Sequence, residues 1–171
     1  MLTGPDGEDS RGESMSAREN YDPSNSDFRL NNSPFYLMAH ADFKYHEDMD
    51  KVLHKHNVSK PIYRIMTVLR ETEPTSIGAL AERALIKRST VSRIVERMIE
   101  MDLAATAPNA EDNRITEVTL TDRGHAMLKT LTPVVARQFT RAMQGVDDTD
   151  IDHLVRILQT ISGNLGKLAI E

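Results

Sequence analysis

Apolar residues recur along most of this chain at the three-to-four-residue spacing of helices that bury one face. Ser33 followed by Pro34 reads as a helix start, a capping hydroxyl with proline in the first helical position. Met38, Ala41, Tyr45, Met49 and Val52 then repeat at helical spacing. A second helix is predicted from Ser59, with Pro61 in its first turn, Ile62, Ile65, Met66 and Leu69 as its stripe, and Pro74 at its end. Ser76 caps a short third helix with Ile77, Leu80, Ala81 and Ala84 on its buried side. After a brief turn, Val91, Ile94, Val95 and Met98 mark a fourth.

The period changes at residues 115–120, where Ile-Thr-Glu-Val-Thr-Leu is rich in β-branched side chains and reads as a strand. Leu103 to Thr106 is expected to pair with it, with Pro108 to Arg114 as the hairpin loop. Thr121 and Asp122 offer caps for a long helix carrying Leu128, Leu131, Val135 and Phe139, with a kink expected at Pro133. Gly145 to Asp148 form a break. A last helix is expected from about Asp150, with Ile151, Leu154, Val155, Leu158, Ile161 and Leu165 on its apolar side. The fold class is therefore mainly α with a small β-hairpin wing. Two short helices joined by a tight turn and followed by a hairpin make a winged helix-turn-helix, here over residues 76–120.

The bulk numbers then narrow the function. A chain of 171 residues can bury a substantial core. It has no apolar run long enough to span a bilayer and no stretch of signal-peptide type, so a cytoplasmic protein is expected. Cysteine is absent, which excludes disulfides, thiol catalysis and thiol-based sensing, and removes the best ligands for structural zinc. No paired carboxylates in a plausible cleft, nucleophile elbow, phosphate-binding loop or dinucleotide motif is visible, so an enzyme is not expected, and no cofactor.

The net charge of −5 looks wrong for a nucleic-acid binder until it is mapped. Residues 1–27 hold seven acids against Arg11 and Arg18, which leaves 19 acids and 19 bases of the chain's 26 and 21 for the remainder. The segment 1–30 is polar and acidic and reads as a disordered tail. Residues 31–171 read as a single domain. Within it, residues 83–97 carry Arg83, Lys87, Arg88, Arg93 and Arg97 against Glu96 alone. A local basic cluster of this kind suits phosphate contact. In the fourth helix, Arg88, Ser89, Ser92, Arg93 and Arg97 lie opposite the apolar stripe, as donors for phosphate oxygens and guanine edges.

The run LAERALIKRSTVSRIVERMIEMDL at residues 80–103 resembles the recognition region of the MarR family. Asp112-x-Arg114 followed by Leu120, Thr121 and Gly124 is similar to that family's wing signature, and the resemblance extends over about residues 33–168. It implies a homodimer whose first and last helices (within residues 31–58 and 122–171) interlock, with residues 59–121 as the DNA-reading lobe. Two such lobes would sit in successive major grooves of a pseudo-palindromic double-stranded operator. Carried over by position, Arg88, Ser89, Thr90, Ser92 and Arg93 face the major groove or its phosphates. Lys87 adds charge at the head of the helix, and Arg97 lies on the flank. Arg114 enters the minor groove, held by Asp112. A purely structural Asp112–Arg114 pair is the alternative.

The chain departs from the family pattern in three places. Lys87 stands where a capping residue is usual, so Ser89 is a candidate to take the cap. Asp102 stands where most members have glycine. The wing has Thr106, Ala107, Asn109, Ala110 and Glu111 instead of the usual bases, which implies fewer phosphate contacts and a shallower salt dependence.

The run Ser-Pro-Phe-Tyr-Leu-Met-Ala-His further resembles the first helix of members that control aromatic-acid catabolism. The resemblance implies a repressor released by an aromatic carboxylate or its coenzyme A thioester. Candidate ligand contacts are Phe35, Tyr36, His40, Phe43 and His46 on the first helix and Tyr63 and Arg64 on the second. An arginine near a histidine can hold a carboxylate, and aromatic side chains can flank a ring. Two alternatives stand beside this. One is a metal-responsive regulator using His46, Asp50 and His54 on one helix face, with Glu47 and His56 nearby. The other is a winged-helix protein-interaction module.

Overall fold

A computed structural model describes residues 20–165. The chain divides into two compact units, Met1–Lys44 and Tyr45–Glu171. Residues 1–19 of the expected tail lie outside the described residues. From Asp22 the chain forms short turns. Asp22 accepts from the backbone N–H and the hydroxyl of Ser24 at 2.8 and 2.7 Å, which holds its carboxyl below the ordinary range. A 3₁₀ turn at Leu30–Asn32 leads to helix α1, Pro34–His54, where Ser33 Oγ accepts from the Tyr36 N–H at 3.3 Å.

The second unit contains the hydrophobic core. Helix α2 (Lys60–Thr72) buries Ile62, Ile65, Met66, Val68 and Leu69. It is followed by strand β1 (Thr75–Ser76), helix α3 (Ile77–Ala84) and helix α4 (Arg88–Glu100). Strands β2 (Ala104–Pro108) and β3 (Thr116–Leu120) form the hairpin, and helices α5 (Asp122–Ala142) and α6 (Asp148–Leu165) complete the order. Leu53, Val58, Leu80, Val91, Met98, Leu103, Val118, Leu128 and Leu131 join the α2 stripe in one core. Each buried side chain of this size contributes about 1.5–3 kcal/mol.

The stripes predicted for α2, α3 and α4 are the faces that the core covers. The sheet is larger than the sequence indicates. β1 pairs antiparallel with β3, Thr75 opposite Val118 and Ser76 opposite Glu117, so β3 is central in the order β1-β3-β2. Two residues are too short for an alternating pattern, which is why β1 escapes a periodicity reading. β2 runs on to Pro108, opposite Thr116.

Caps and tight approaches join these elements. Ser76 Oγ accepts from the Ala79 N–H and Thr121 Oγ1 from the Gly124 N–H, at 3.2 and 3.1 Å. The Thr121 hydroxyl also donates to the Asp102 carbonyl at 2.6 Å. Asp102 has φ 58°, the left-handed conformation that ends α4 and favours glycine. A Cβ at Gly124 would collide with the carbonyl of Leu103. Helix α5 continues through Pro133 as a single element. Helix α6 begins at Asp148, two residues before the expected start: the Asp147 carbonyl accepts the first intrahelical bond, from the Ile151 N–H, and its carboxylate accepts the otherwise orphan Asp150 N–H.

Candidate nucleic-acid interface and effector cavity

The amphipathic pattern of α4 decides which of its side chains meet solvent. Val91, Val95 and Met98 are buried, which turns Lys87, Arg88, Ser89, Thr90, Arg93 and Arg97 outward, with Ser92 half-buried. The helix starts at Arg88 with Lys87 as its N-cap, and no side chain closes that end. Ser89 does not take the cap. It stands already in the first turn, while the Lys87 carbonyl accepts from the Thr90 and Val91 N–H groups. The Ser92 hydroxyl is turned back onto the Arg88 carbonyl at 3.3 Å.

The basic cluster separates into two kinds of cation. Arg83 pairs with Glu71 at 3.2 Å and Arg97 with Glu100 at 2.8 Å. Both pairs are exposed and contribute little to stability. Lys87, Arg88 and Arg93 carry no recorded side-chain hydrogen bond or ion pair among the described residues.

The wing places its arginine differently. Arg114 meets Asp112 as a fork, Nε to Oδ1 and Nη2 to Oδ2, both at 2.9 Å, and its own backbone N–H donates to Oδ1 at 3.0 Å. The guanidinium beside Asp112 holds that carboxyl below the ordinary carboxylate range, and Asp112 raises Arg114 in turn. The Arg114 side chain is 90% exposed, so the pair orients a projecting group without burying it. Asn109 organises the turn beneath it. Its Oδ1 accepts from the N–H groups of Glu111 and Asp112 at 3.0 and 2.9 Å, and its Nδ2 donates to Glu117 Oε1 at 2.6 Å. Sequence reading counted Asn109 only as a missing base. The signal for its role was its place three residues before Asp112, where an Asn side chain can close a turn.

Between wing and helices lies a hollow of about 440 Å³, lined by Arg88, Ser92, Arg114, Ile115, Thr116, Ser76, Ile77 and Gly78. Arg88 and Arg114, 26 positions apart in sequence, thus share one concave surface. The base of the wing is tied to α2. Glu73 Oε2 accepts from the Leu120 N–H at 2.9 Å, and its Oε1 pairs with His125 Nε2 at 3.0 Å.

A second, smaller hollow of about 150 Å³ is lined by Tyr45, His46, Met49, Lys60, Tyr63, Arg64 and Thr67. Three sequence candidates, His46, Tyr63 and Arg64, meet here. Tyr45, which the periodicity assigned to an apolar stripe, and Lys60 join them. Burial pushes the Tyr45 phenol up. It does the same to Tyr63, with the Arg70 charge opposing and Tyr45 adding. Both phenols therefore stay protonated donors at neutral pH. The lining contains two cationic side chains and no carboxylate. The remaining candidates, Phe35, Tyr36, His40 and Phe43, belong to the first unit. There Tyr36 and His40 stack with ring centroids 5.7 Å apart, and Phe35 and Phe43 are exposed. Among the described residues no group of three or more His, Asp or Glu is close enough to hold an ion. His46, Asp50 and His54 share a helix face, but His46 and His54 stand two turns, about 12 Å, apart along it. No described helix is long and apolar enough to cross a membrane.

Comparison with known proteins bears on both surfaces. The model of the MarR family matches residues 55–115, from the end of α1 through the wing loop. The HTH-type transcriptional repressor IacR of Pseudomonas putida is 32% identical over 148 residues, 86% of this chain and 89% of its own length. The fold matches a MarR family transcriptional regulator from Silicibacter pomeroyi with a TM-score of 0.74 at 22% identity, covering 81% of this chain and 93% of that one. It also matches Bordetella bronchiseptica BpsR, whose DNA binding is regulated by 6-hydroxynicotinic acid. That match has a TM-score of 0.72 at 18% identity, over 79% of this chain and 96% of that one.

Proposed function

The chain belongs to the MarR family of winged-helix transcriptional regulators, and from that membership we propose that it is a ligand-released repressor whose effector is a small aromatic carboxylate. It is a DNA-binding regulator and not an enzyme. The observation that carries the effector reading is the 150 Å³ hollow with Lys60 and Arg64 as its charges, two protonated tyrosines and a histidine on its walls, and no acid. An anion entering it meets attraction without repulsion, and a guanidinium is the best partner for a carboxylate. The volume suits one ring with its carboxylate. The nucleotide part of a coenzyme A thioester would have to lie outside, so the free acid is the favoured form. BpsR, with the same fold, answers to an aromatic acid.

On the DNA side, Arg88, Ser89, Thr90, Ser92 and Arg93 work in the major groove, with Lys87 on its phosphates and Arg97 at the flank. Arg114, held by Asp112, works in the adjacent minor groove. A pseudo-palindromic operator requires a second copy of the chain. Helix α6 supports that. None of its residues is buried, yet Leu154, Val155, Ile157 and Leu165 stand exposed along it. A homodimer would cover such a surface.

A thermal-shift panel of aromatic acids, their neutral amides and their thioesters tests the effector. A true effector at 100 times its dissociation constant adds about 2.7 kcal/mol, or about 5–10 °C in a protein of this size. The same compound must release the chain from a duplex selected by the chain itself in a mobility-shift assay. Equal shifts from acid and amide would sink the carboxylate reading.

A further inference from the structure

One side chain of the effector cavity also touches the DNA-reading lobe. Arg64 lines the cavity, and its Nη1 donates to the carbonyl of Ala84 at 3.3 Å. Ala84 is the last residue of α3, so its carbonyl is among those the helix leaves without a partner. The next three residues are the turn that aims the recognition helix.

That turn is weakly determined by its own sequence. Leu85 stands at φ 54°, ψ 44°, a left-handed conformation costly for a branched L-residue, and 86% of it is exposed, so no burial offsets the cost. Lys87 caps α4 without a side-chain bond. Backbone bonds from two N–H groups close the turn, Leu85 N–H to the Glu82 and Ala81 carbonyls and Ile86 N–H to Ala81 O. Arg64 supplies a tie from outside, anchored in α2.

We propose that Arg64 is the lever by which an effector carboxylate acts on the helix-turn-helix. This rests on the carboxylate reading of the cavity. A carboxylate offers the guanidinium two charged acceptors, whereas Ala84 offers one neutral oxygen at a long distance, so a bound anion draws Arg64 into the cavity. Ala84 then loses its donor, residues 85–87 loosen, and α4 no longer holds Arg88 and Arg93 at groove spacing. Lys60 adds to the pull on the anion without touching the turn's carbonyl. Because coupling is reciprocal, DNA that fixes the turn weakens effector binding by the same factor.

Hydrogen–deuterium exchange of the full chain tests this at the amides of residues 85–88, with benzoate as the probe and benzyl alcohol as its neutral match. Wild-type protein should exchange faster there with saturating benzoate and not with benzyl alcohol. Arg64→Ala should exchange fast without ligand, bind its selected duplex about tenfold more weakly, and show no further change with benzoate. Benzoate that binds, by thermal shift, yet leaves residues 85–88 unchanged overturns the lever while the effector reading stands. No benzoate shift at all overturns the carboxylate reading and the lever together. Should Arg64→Ala fail to fold, the wild-type comparison of benzoate with benzyl alcohol decides alone.

Discussion

The two elements proposed to read DNA solve the same problem in opposite ways. Helix α4 has a backbone locked by the burial of Val91, Val95 and Met98, and carries Lys87, Arg88 and Arg93 without side-chain partners among the described residues. The wing loop has an irregular backbone but a fixed side chain, because Asp112 forks Arg114 and Asn109 holds the turn under Asp112. Free arginines on a stiff frame can adjust to different base edges. A forked arginine on a loop loses less rotamer freedom when it enters a groove. The wing, with few other bases, depends on that one side chain, so its preorganisation matters more than it would in a basic wing.

The sharpest way to break the contrast is to remove the support both elements share. Gly124→Ala drives a methyl into the Leu103 carbonyl, where β2 begins and α5 starts. It should cost about 1–3 kcal/mol of stability in urea unfolding, and loss of DNA binding should follow at temperatures where wild type still binds. A variant of wild-type stability would mean that this junction can move apart freely.

On the helix side, Arg93→Ala should weaken binding to the selected duplex by about 1–3 kcal/mol and relax the preference at one base position if it reads an edge. A uniform loss across sequences, with a salt slope reduced by about one, would instead assign it to a phosphate.

On the wing side, Arg114→Ala should weaken binding by less than Arg93→Ala, without lowering the melting temperature. Asp112→Asn should reproduce part of that loss. The pair also has a pH signature. Since the Asp112 carboxyl is held below its ordinary value, the fork persists above the usual carboxylate range and is lost only as pH falls through the lowered value. A carbon-13 titration of the Asp112 carboxyl gives that midpoint, and Arg114→Ala should return it upward. A midpoint unmoved by the substitution would leave the fork without electrostatic weight.

The smallest effect is expected at Asn109. Asn109→Ala should lower affinity by a few tenths of a kcal/mol to about 1 kcal/mol, and its effect should vanish when Arg114 is already alanine, because both act through one side chain. Additive losses would place Asn109 on the DNA directly.

Much of this arrangement was legible in one dimension. Helix existence followed from stripes such as Ile62, Ile65, Met66 and Leu69, whose spacing admits one buried face. The starts at Pro34, Ile77 and Asp122 followed from Ser33, Ser76 and Thr121, whose side chains cap the first turn whatever lies beyond it. Strand β1 was not legible, since two residues carry no period and pair only because β3 is already in place. The Asn109 turn was missed because an Asn without charge looked like an absence. Of the candidate ligand residues, His46, Tyr63 and Arg64 share a cavity with Tyr45 and Lys60. Helical spacing alone does not say which of two neighbouring faces of α1 meets α2.

By itself, then, the sequence determined the helices and the hairpin, the caps at Ser33, Ser76 and Thr121, the location of the acidic charge outside residues 76–120 and the family resemblance of that segment, because each depends on local sequence. Tertiary structure decided which cations are left unpaired, that Arg88 and Arg114 share one hollow, and that Arg64 stands between an anion-friendly cavity and the Ala84 carbonyl. Arg64 and Ala84 are 20 positions apart and Arg88 and Arg114 are 26, and only the packing of the helices and the wing brings each pair together.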